Sequence, residues 1–160
     1  MISRLARGTI VLSAAMLAAA LPANAQSKDP FVGTWSANIA KSTYNPGPTP
    51  KSVTSVYEAA GQGYKVSVKN VSPTGTAEYS YTTNLDGKDS PVTGNNPVAD
   101  TVAVRRIDAR TLELVNKRGG KVTTTQRNVV SADGKTRTVT TTGTDAKGQK
   151  VNNVALFERQ

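Results

Sequence analysis

The sequence predicts an all-β fold in which about ten antiparallel strands run up and down and close into a single barrel. Between residues 61 and 148, glycine- or aspartate-containing turn signals recur at short intervals, and such residues adopt the positive φ of tight hairpins at little cost. Outside the first 25 residues, no stretch repeats apolar positions at helical spacing for long enough to predict a stable helix. The turn signals are Gly61-Gln62-Gly63, Pro73-Thr74-Gly75, Asp86-Gly87, Asp108-Ala109, Gly119-Gly120, Asp133-Gly134 and Lys147-Gly148.

Five strands are predicted in the first half of the chain. The clearest covers residues 64–71, where Tyr64, Val66 and Val68 alternate with polar residues, as in a strand with one buried face. Residues 40–50 contain three prolines, so they are predicted to form an extended connector and not a helix or a central strand. The five predicted strands span residues 32–39, 51–60, 64–71, 77–83 and 88–92.

Five further strands are predicted after a loop at residues 93–99. Runs such as residues 122–125 and 139–142 consist of valine and threonine, which favour strands. A barrel is favoured over an open sheet because closure removes the exposed edges through which chains aggregate. A two-sheet sandwich stays open as the alternative, since the same periodicity fits both. The second set of strands spans residues 100–107, 110–116, 121–130, 136–142 and 150–158.

The beginning of the chain has the features of an export signal. Two arginines precede an apolar stretch at residues 10–21, and the triplet Ala23-Asn24-Ala25 has small residues at its first and third places, as signal peptidase requires. The apolar stretch is shorter than the roughly 18 to 20 residues that cross a bilayer, so a membrane anchor is the less favoured alternative. We predict a signal peptide at residues 1–25, one barrel domain at residues 26–160, and a periplasmic or secreted location.

Composition limits what the exported domain can contain. The 135 residues after the leader carry 18 basic and 11 acidic side chains, a net charge of +7, and are enough for one core without disulfides. The chain has no cysteine, and only 5% of its residues are aromatic. We therefore expect a thin core whose inner lining is partly polar.

Two short segments at the ends of the predicted barrel resemble a known family. Residues 31–35 read FVGTW and open the first strand, and residues 156–160 read LFERQ and close the last. With the meander between them, they resemble the calycin group, which includes the lipocalins and the cytosolic fatty-acid-binding proteins. In that group a Gly-x-Trp tryptophan packs at the closed end of the barrel under a basic residue from the final strand. The resemblance implies that Trp35 and Arg159 form this structural pair, in which a guanidinium stacks on an indole.

The chain departs from the fatty-acid-binding proteins in two ways. Residues 40–50 have neither the length nor the composition for the two lid helices that follow the first strand in those proteins. The arginine and tyrosine that hold a ligand carboxylate on their last strand correspond here to Ala155 and Phe157. A fatty acid held by that pair is therefore not expected.

The residue types argue against catalysis. Without histidine or cysteine, the chain lacks the usual general base, thiol nucleophiles and the common zinc ligands. Asp86 and Asp89 have the spacing of a calcium ligand pair, but Gly87 between them indicates a turn instead. We expect no enzymatic activity, no cofactor and no metal site.

Aromatic residues provide the first functional hypothesis. They fall at strand positions compatible with the barrel interior, where tyrosine hydroxyls would orient a small apolar or amphipathic ligand. The alternative is that they simply fill a narrow barrel. The candidate pocket residues are Tyr57, Tyr64, Tyr79, Tyr81 and Phe157.

A cluster of basic residues provides the second hypothesis. On two neighbouring hairpins, these residues would form a positive rim through which an envelope-associated module contacts anionic lipid or polysaccharide, with no internal ligand. Nucleic acid is not expected, because residues 98–130 lack the aromatic platforms that single-strand binding requires. The rim residues are Arg105, Arg106, Arg110, Lys117, Arg118 and Lys121.

Overall fold

The computed structural model describes residues 29–145 and 147–160, and over these ranges the chain is all β, with no helix. The predicted signal peptide lies outside the described residues. Among them, no helix has the length and apolar character needed to cross a bilayer. The strands are β1 (Gly33–Thr43), β2 (Ser52–Ala60), β3 (Gly63–Ser72), β4 (Gly75–Thr83), β5 (Asp86–Pro91), β6 (Thr93–Gly94), β7 (Thr101–Asp108), β8 (Thr111–Arg118), β9 (Lys121–Val130), β10 (Thr136–Thr144) and β11 (Lys150–Arg159).

All eleven described strands belong to one antiparallel sheet, which bends into a nearly closed barrel. The order around the sheet is β5-β7-β8-β9-β10-β11-β1-β2-β3-β4-β6, so the last strand pairs with the first. This pairing confirms the predicted all-β barrel and disfavours two separate sheets. The sheet stays open only between its two edge strands, β5 and β6.

The first strand is longer than predicted. It continues to Thr43 because the prolines that end it begin only at Pro46. Its pairing with β11 is irregular between Asn38 and Thr43. There the Ser42 hydroxyl donates to the Asn38 carbonyl at 2.7 Å and accepts the Leu156 amide at 3.0 Å, replacing a backbone ladder bond.

A short strand within the predicted loop at residues 93–99 accounts for the count of eleven. β6 pairs with Tyr79 and Ser80 of β4 and covers part of that edge. Gly94 has φ +100°, and a β-carbon there would lie 2.4 Å from the Glu78 carbonyl oxygen, so the close approach requires glycine.

Candidate functional site

The closed end of the barrel is built around the chain's single tryptophan. Trp35 is fully buried, and its indole N–H donates to the Phe31 carbonyl at 2.9 Å. Arg159, its register partner on β11, places its guanidinium carbon 4.2 Å from the indole centroid. The same guanidinium donates to the carbonyls of Gly134 and Val32, each at 2.7 Å, and to that of Pro30. The arginine therefore links two backbone segments, residues 30–32 and the turn at Gly134, to the tryptophan.

A second network closes the same end from the other side. Arg106 forms an ion pair with Asp29 at 2.8 Å and also contacts the Tyr64 hydroxyl, which donates to Asp29 at 2.5 Å. The rings of Tyr64 and Phe31 lie 6.1 Å apart. Tyr64 therefore belongs to the closed end and does not line the interior cavity, unlike the other four candidate pocket residues.

Above the closed end, the barrel contains a cavity of about 290 Å³. Tyr57, Tyr79, Tyr81 and Phe157 all line it, as the sequence predicts for a ligand pocket. More than half of the lining residues carry a hydrogen-bonding side chain, mostly amides and hydroxyls, and the rest are apolar. Among the described residues that line it, Arg137 is the only charged one.

Arg137 lies at the inner end of the cavity, close to the closed end. It is 2% exposed, and its guanidinium carbon lies 4.5 Å from the Phe157 ring centroid and 5.3 Å from that of Trp35. Its terminal nitrogens donate to Tyr57 Oη at 2.7 Å, to Asn128 Oδ1 at 3.1 Å and to Ser55 Oγ at 2.6 Å. All three partners are neutral, and no ion pair of the described residues includes Arg137. A buried charge of this kind is normally compensated.

Hydrogen bonding around the cavity is incomplete. Four buried side-chain polar atoms of the described residues lack a partner, and all four belong to residues that line this cavity. Buried polar groups usually have partners, so four exceptions around a single cavity mark it as the candidate binding site. The four atoms are Arg137 Nε, Asn128 Nδ2, Tyr44 Oη and Asn70 Oδ1.

Three of the cavity tyrosines, Tyr44, Tyr79 and Tyr81, remain neutral at physiological pH because their pKa values are raised. Burial raises the pKa of Tyr79 to about 12 and that of Tyr81 well above its ordinary value. Burial also raises the pKa of Tyr44. Their hydroxyls therefore act as hydrogen-bond donors and acceptors, not as bases.

The six predicted rim residues are not brought together. Three lie near the β7–β8 hairpin and three near the β8–β9 hairpin, which are at opposite ends of β8. Four of the six contact an acidic side chain or a backbone carbonyl: Arg105 with Glu113, Arg106 with Asp29, Lys117 with Asp89, and Arg118 with the Asn96 carbonyl. No single positive rim results within the described residues.

Sequence reasoning missed Arg137 and Asn128, although a signal for the arginine was present. On β10, Arg137 has the same parity as Val139, and both face the interior, whereas the intervening Thr138 faces outward. A single basic residue at an inward-facing position of a strand is the sequence signal that identifies Arg137. Asn128 shares parity with Val130 on β9 in the same way.

No protein-family model, curated protein or solved structure matches this chain.

Proposed function

We propose that this protein is an exported, non-catalytic binding protein that holds a small amphipathic molecule inside its barrel, with the acidic group of that molecule at Arg137. The observation that carries the proposal is a buried arginine that has no carboxylate partner and opens onto a cavity of about 290 Å³.

Charge is the first support. Arg137 has a free Nε–H, and Asn128 beside it has a free Nδ2–H, so donors outnumber acceptors at the inner end. A carboxylate accepts both bonds and neutralises the guanidinium. Such charge-assisted bonds are among the strongest in a dry site.

The apolar part of the lining is the second support. Val68, Leu114, Val139 and Phe157 contribute to the cavity wall along with the polar groups. A ligand with an acidic head and a hydrocarbon body matches this combination.

We infer that the chain is related to the calycin group, and the contact of Arg159 with Trp35 supports this relationship. Export is supported by the leader sequence at residues 1–25, and the absence of histidine and cysteine supports a non-catalytic role. Carriers of small molecules in an oxidising compartment need neither residue.

The test compares an acid with its neutral analogue. Decanoate and decanol are titrated into the protein by calorimetry, with Trp35 fluorescence as a second readout because Arg137 lies beside the indole. We expect decanoate to bind at least about tenfold more tightly than decanol, as hydrogen bonds to a charged group allow. Arg137→Gln removes this preference.

The matched control is Arg127→Gln on the outer face of the neighbouring strand β9. It makes the same change in net charge at an exposed position and leaves the preference unchanged. If neither probe binds with saturation, and native mass spectrometry of protein isolated from its own compartment detects no bound molecule, the proposal is wrong.

A further inference from the structure

The unpartnered polar atoms fall into two pairs at the two ends of the cavity. Arg137 Nε and Asn128 Nδ2 form the inner pair, beside Phe157. Tyr44 Oη and Asn70 Oδ1 form what we call the far pair. The proposed acidic group accounts for the inner pair only.

The far pair lies where two cavities meet. A second cavity of about 210 Å³ lies against the proline-rich connector, and Tyr44 and Asn70 line both cavities, together with Val151 and Asn153. The connector is fixed there, since the Asn45 amide donates to Asn153 Oδ1 at 2.8 Å and the Asn45 carbonyl accepts from the Asn152 amide at 2.7 Å. Tyr44 Oη and Asn70 Oδ1 therefore lack partners in a part of the chain that hydrogen bonds hold in place.

The chemistry of the far pair differs from that of the inner pair. Asn70 Oδ1 only accepts a hydrogen bond, and the Tyr44 hydroxyl either donates or accepts one. Among the described lining residues, the main cavity has its one charged side chain, Arg137, at the inner end, and the second cavity has the carboxylate of Asp145 beside the far pair, which disfavours a second acidic group there. A neutral hydroxyl or amide, which both donates and accepts, satisfies both atoms, whereas a second carboxylate leaves the Asn70 oxygen without a donor.

Strand geometry gives the separation of the two pairs. Arg137 is paired in register with Phe157, and Asn153 at the far pair lies four residues earlier on the same strand. At about 3.3 Å per residue, this is about 13 Å along β11.

We propose that the ligand is two-headed: an acidic group binds at Arg137, and a neutral hydroxyl or amide about 13 Å away binds Tyr44 and Asn70. The proposal rests on the binding function above and adds the class of the ligand. It distinguishes hydroxylated or amidated acids from simple fatty acids.

Matched probe pairs test this inference. Octanoate, decanoate and dodecanoate are each compared with the acid that carries a terminal hydroxyl, by calorimetry on the full chain. We expect the hydroxyl to tighten binding about three- to tenfold, as a neutral hydrogen bond allows, at the chain length that spans the two pairs. At other lengths the hydroxyl weakens binding, because it is desolvated without a partner.

Variants locate the effect. Tyr44→Phe and Asn70→Leu abolish the gain from the hydroxyl but keep the affinity for the plain acid, which shows that the inner end is intact. Asn152→Leu, at an exposed position of β11, leaves the gain unchanged.

The two proposals fail in different ways. If the plain acids bind through Arg137 and no hydroxylated acid binds more tightly, the two-headed ligand is wrong and the binding function stands. If the terminal hydroxyl still tightens binding in both Tyr44→Phe and Asn70→Leu, the two-headed ligand is also wrong. If no acid binds at all, both proposals are wrong.

Discussion

Two arginines contact the same indole, and they differ in what else they contact. Arg159 lies at the closed end, where its guanidinium reaches three backbone carbonyls. Arg137 lies inside the barrel, where its partners are three neutral side chains and its Nε has none. Each nitrogen of the Arg159 guanidinium has a partner, whereas Nε of Arg137 has none.

This difference separates a structural cation, Arg159, from Arg137, the cation that we propose binds the ligand. The sheet and its turns fix the three carbonyls that bind Arg159, and this side chain is only half-buried, so water also screens its charge. Arg137 is withdrawn from water, and none of its hydrogen-bond partners carries a negative charge. Arg159 therefore has a structural role, whereas the inner end of the cavity has fewer acceptors than donors, which the proposed ligand would correct.

Removal of the structural cation has the largest expected effect. Arg159→Met leaves the carbonyls of Pro30, Val32 and Gly134 without their donor and removes the stacking on Trp35. We expect the free energy of unfolding to fall by about 3 kcal/mol, measured as a lower urea midpoint at unchanged m-value.

Arg127→Met serves as the control, because this exposed side chain should change stability by less than about 0.5 kcal/mol. If the free energy of unfolding falls equally in Arg159→Met and Arg127→Met, Arg159 does not have this structural role.

Removal of the binding cation has a much smaller expected effect on stability. Arg137→Met breaks hydrogen bonds to Ser55, Tyr57 and Asn128 but also removes a buried charge that has no carboxylate partner. The two effects have opposite signs, so we expect the free energy of unfolding to change by less than about 1 kcal/mol.

The discriminating measurement is the urea midpoint with and without decanoate. Ligand raises the midpoint of the wild-type protein by mass action and not that of Arg137→Met. A loss of stability as large as that of Arg159→Met would show that Arg137 is structural.

The last expected effect concerns pH and is the smallest near neutrality, where it is absent. Burial raises the pKa of Tyr79 to about 12, above the ordinary value of about 10 for an unfolded tyrosine. The folded state therefore retains the proton longer than the unfolded state. The resulting stability is fully present below about pH 10 and is lost as the pH rises toward 12.

Urea midpoints across this range, in parallel with tyrosinate absorbance, give the measurement. Tyr79→Phe should lose less stability than the wild-type protein as the pH rises. If the urea midpoint falls equally with pH in the two proteins, the cavity does not raise the pKa of the Tyr79 hydroxyl.

Most of the barrel was predictable because its signals are local. Alternation in residues 64–71 and the turn pairs at Gly119-Gly120 and Asp133-Gly134 each act over a few residues, and the strands form where they predict. The predicted turn at Asp86-Gly87 is wrong, because Asp86 already pairs with Arg105 of β7 and the chain turns at residues 84 and 85 instead, where Leu85 has φ +63°. The errors lie where a long-range contact intervenes. β1 runs beyond its predicted end because β11 pairs with it through Ser42, and β6 forms because the β4 edge is available.

The site was predictable only in part. The parity of Tyr57, Tyr79, Tyr81 and Phe157 placed them inside, whereas Tyr64 has the same parity but lies below the cavity, in the network with Asp29 and Arg106. Position along the barrel axis depends on how far each strand is shifted relative to its neighbours, and parity carries no information about that shift.

The sequence by itself determined the all-β meander and which side chains of each strand share a face, because these follow from the two-residue period and the turn residues. Only the tertiary structure decided that β5 pairs with β7 and not with β4, that each nitrogen of the Arg159 guanidinium meets a carbonyl, and that Arg137 Nε meets no partner. The partners of a charge come from strands that are distant in sequence, so a missing partner becomes visible only when the barrel closes and the interior is surrounded on every side.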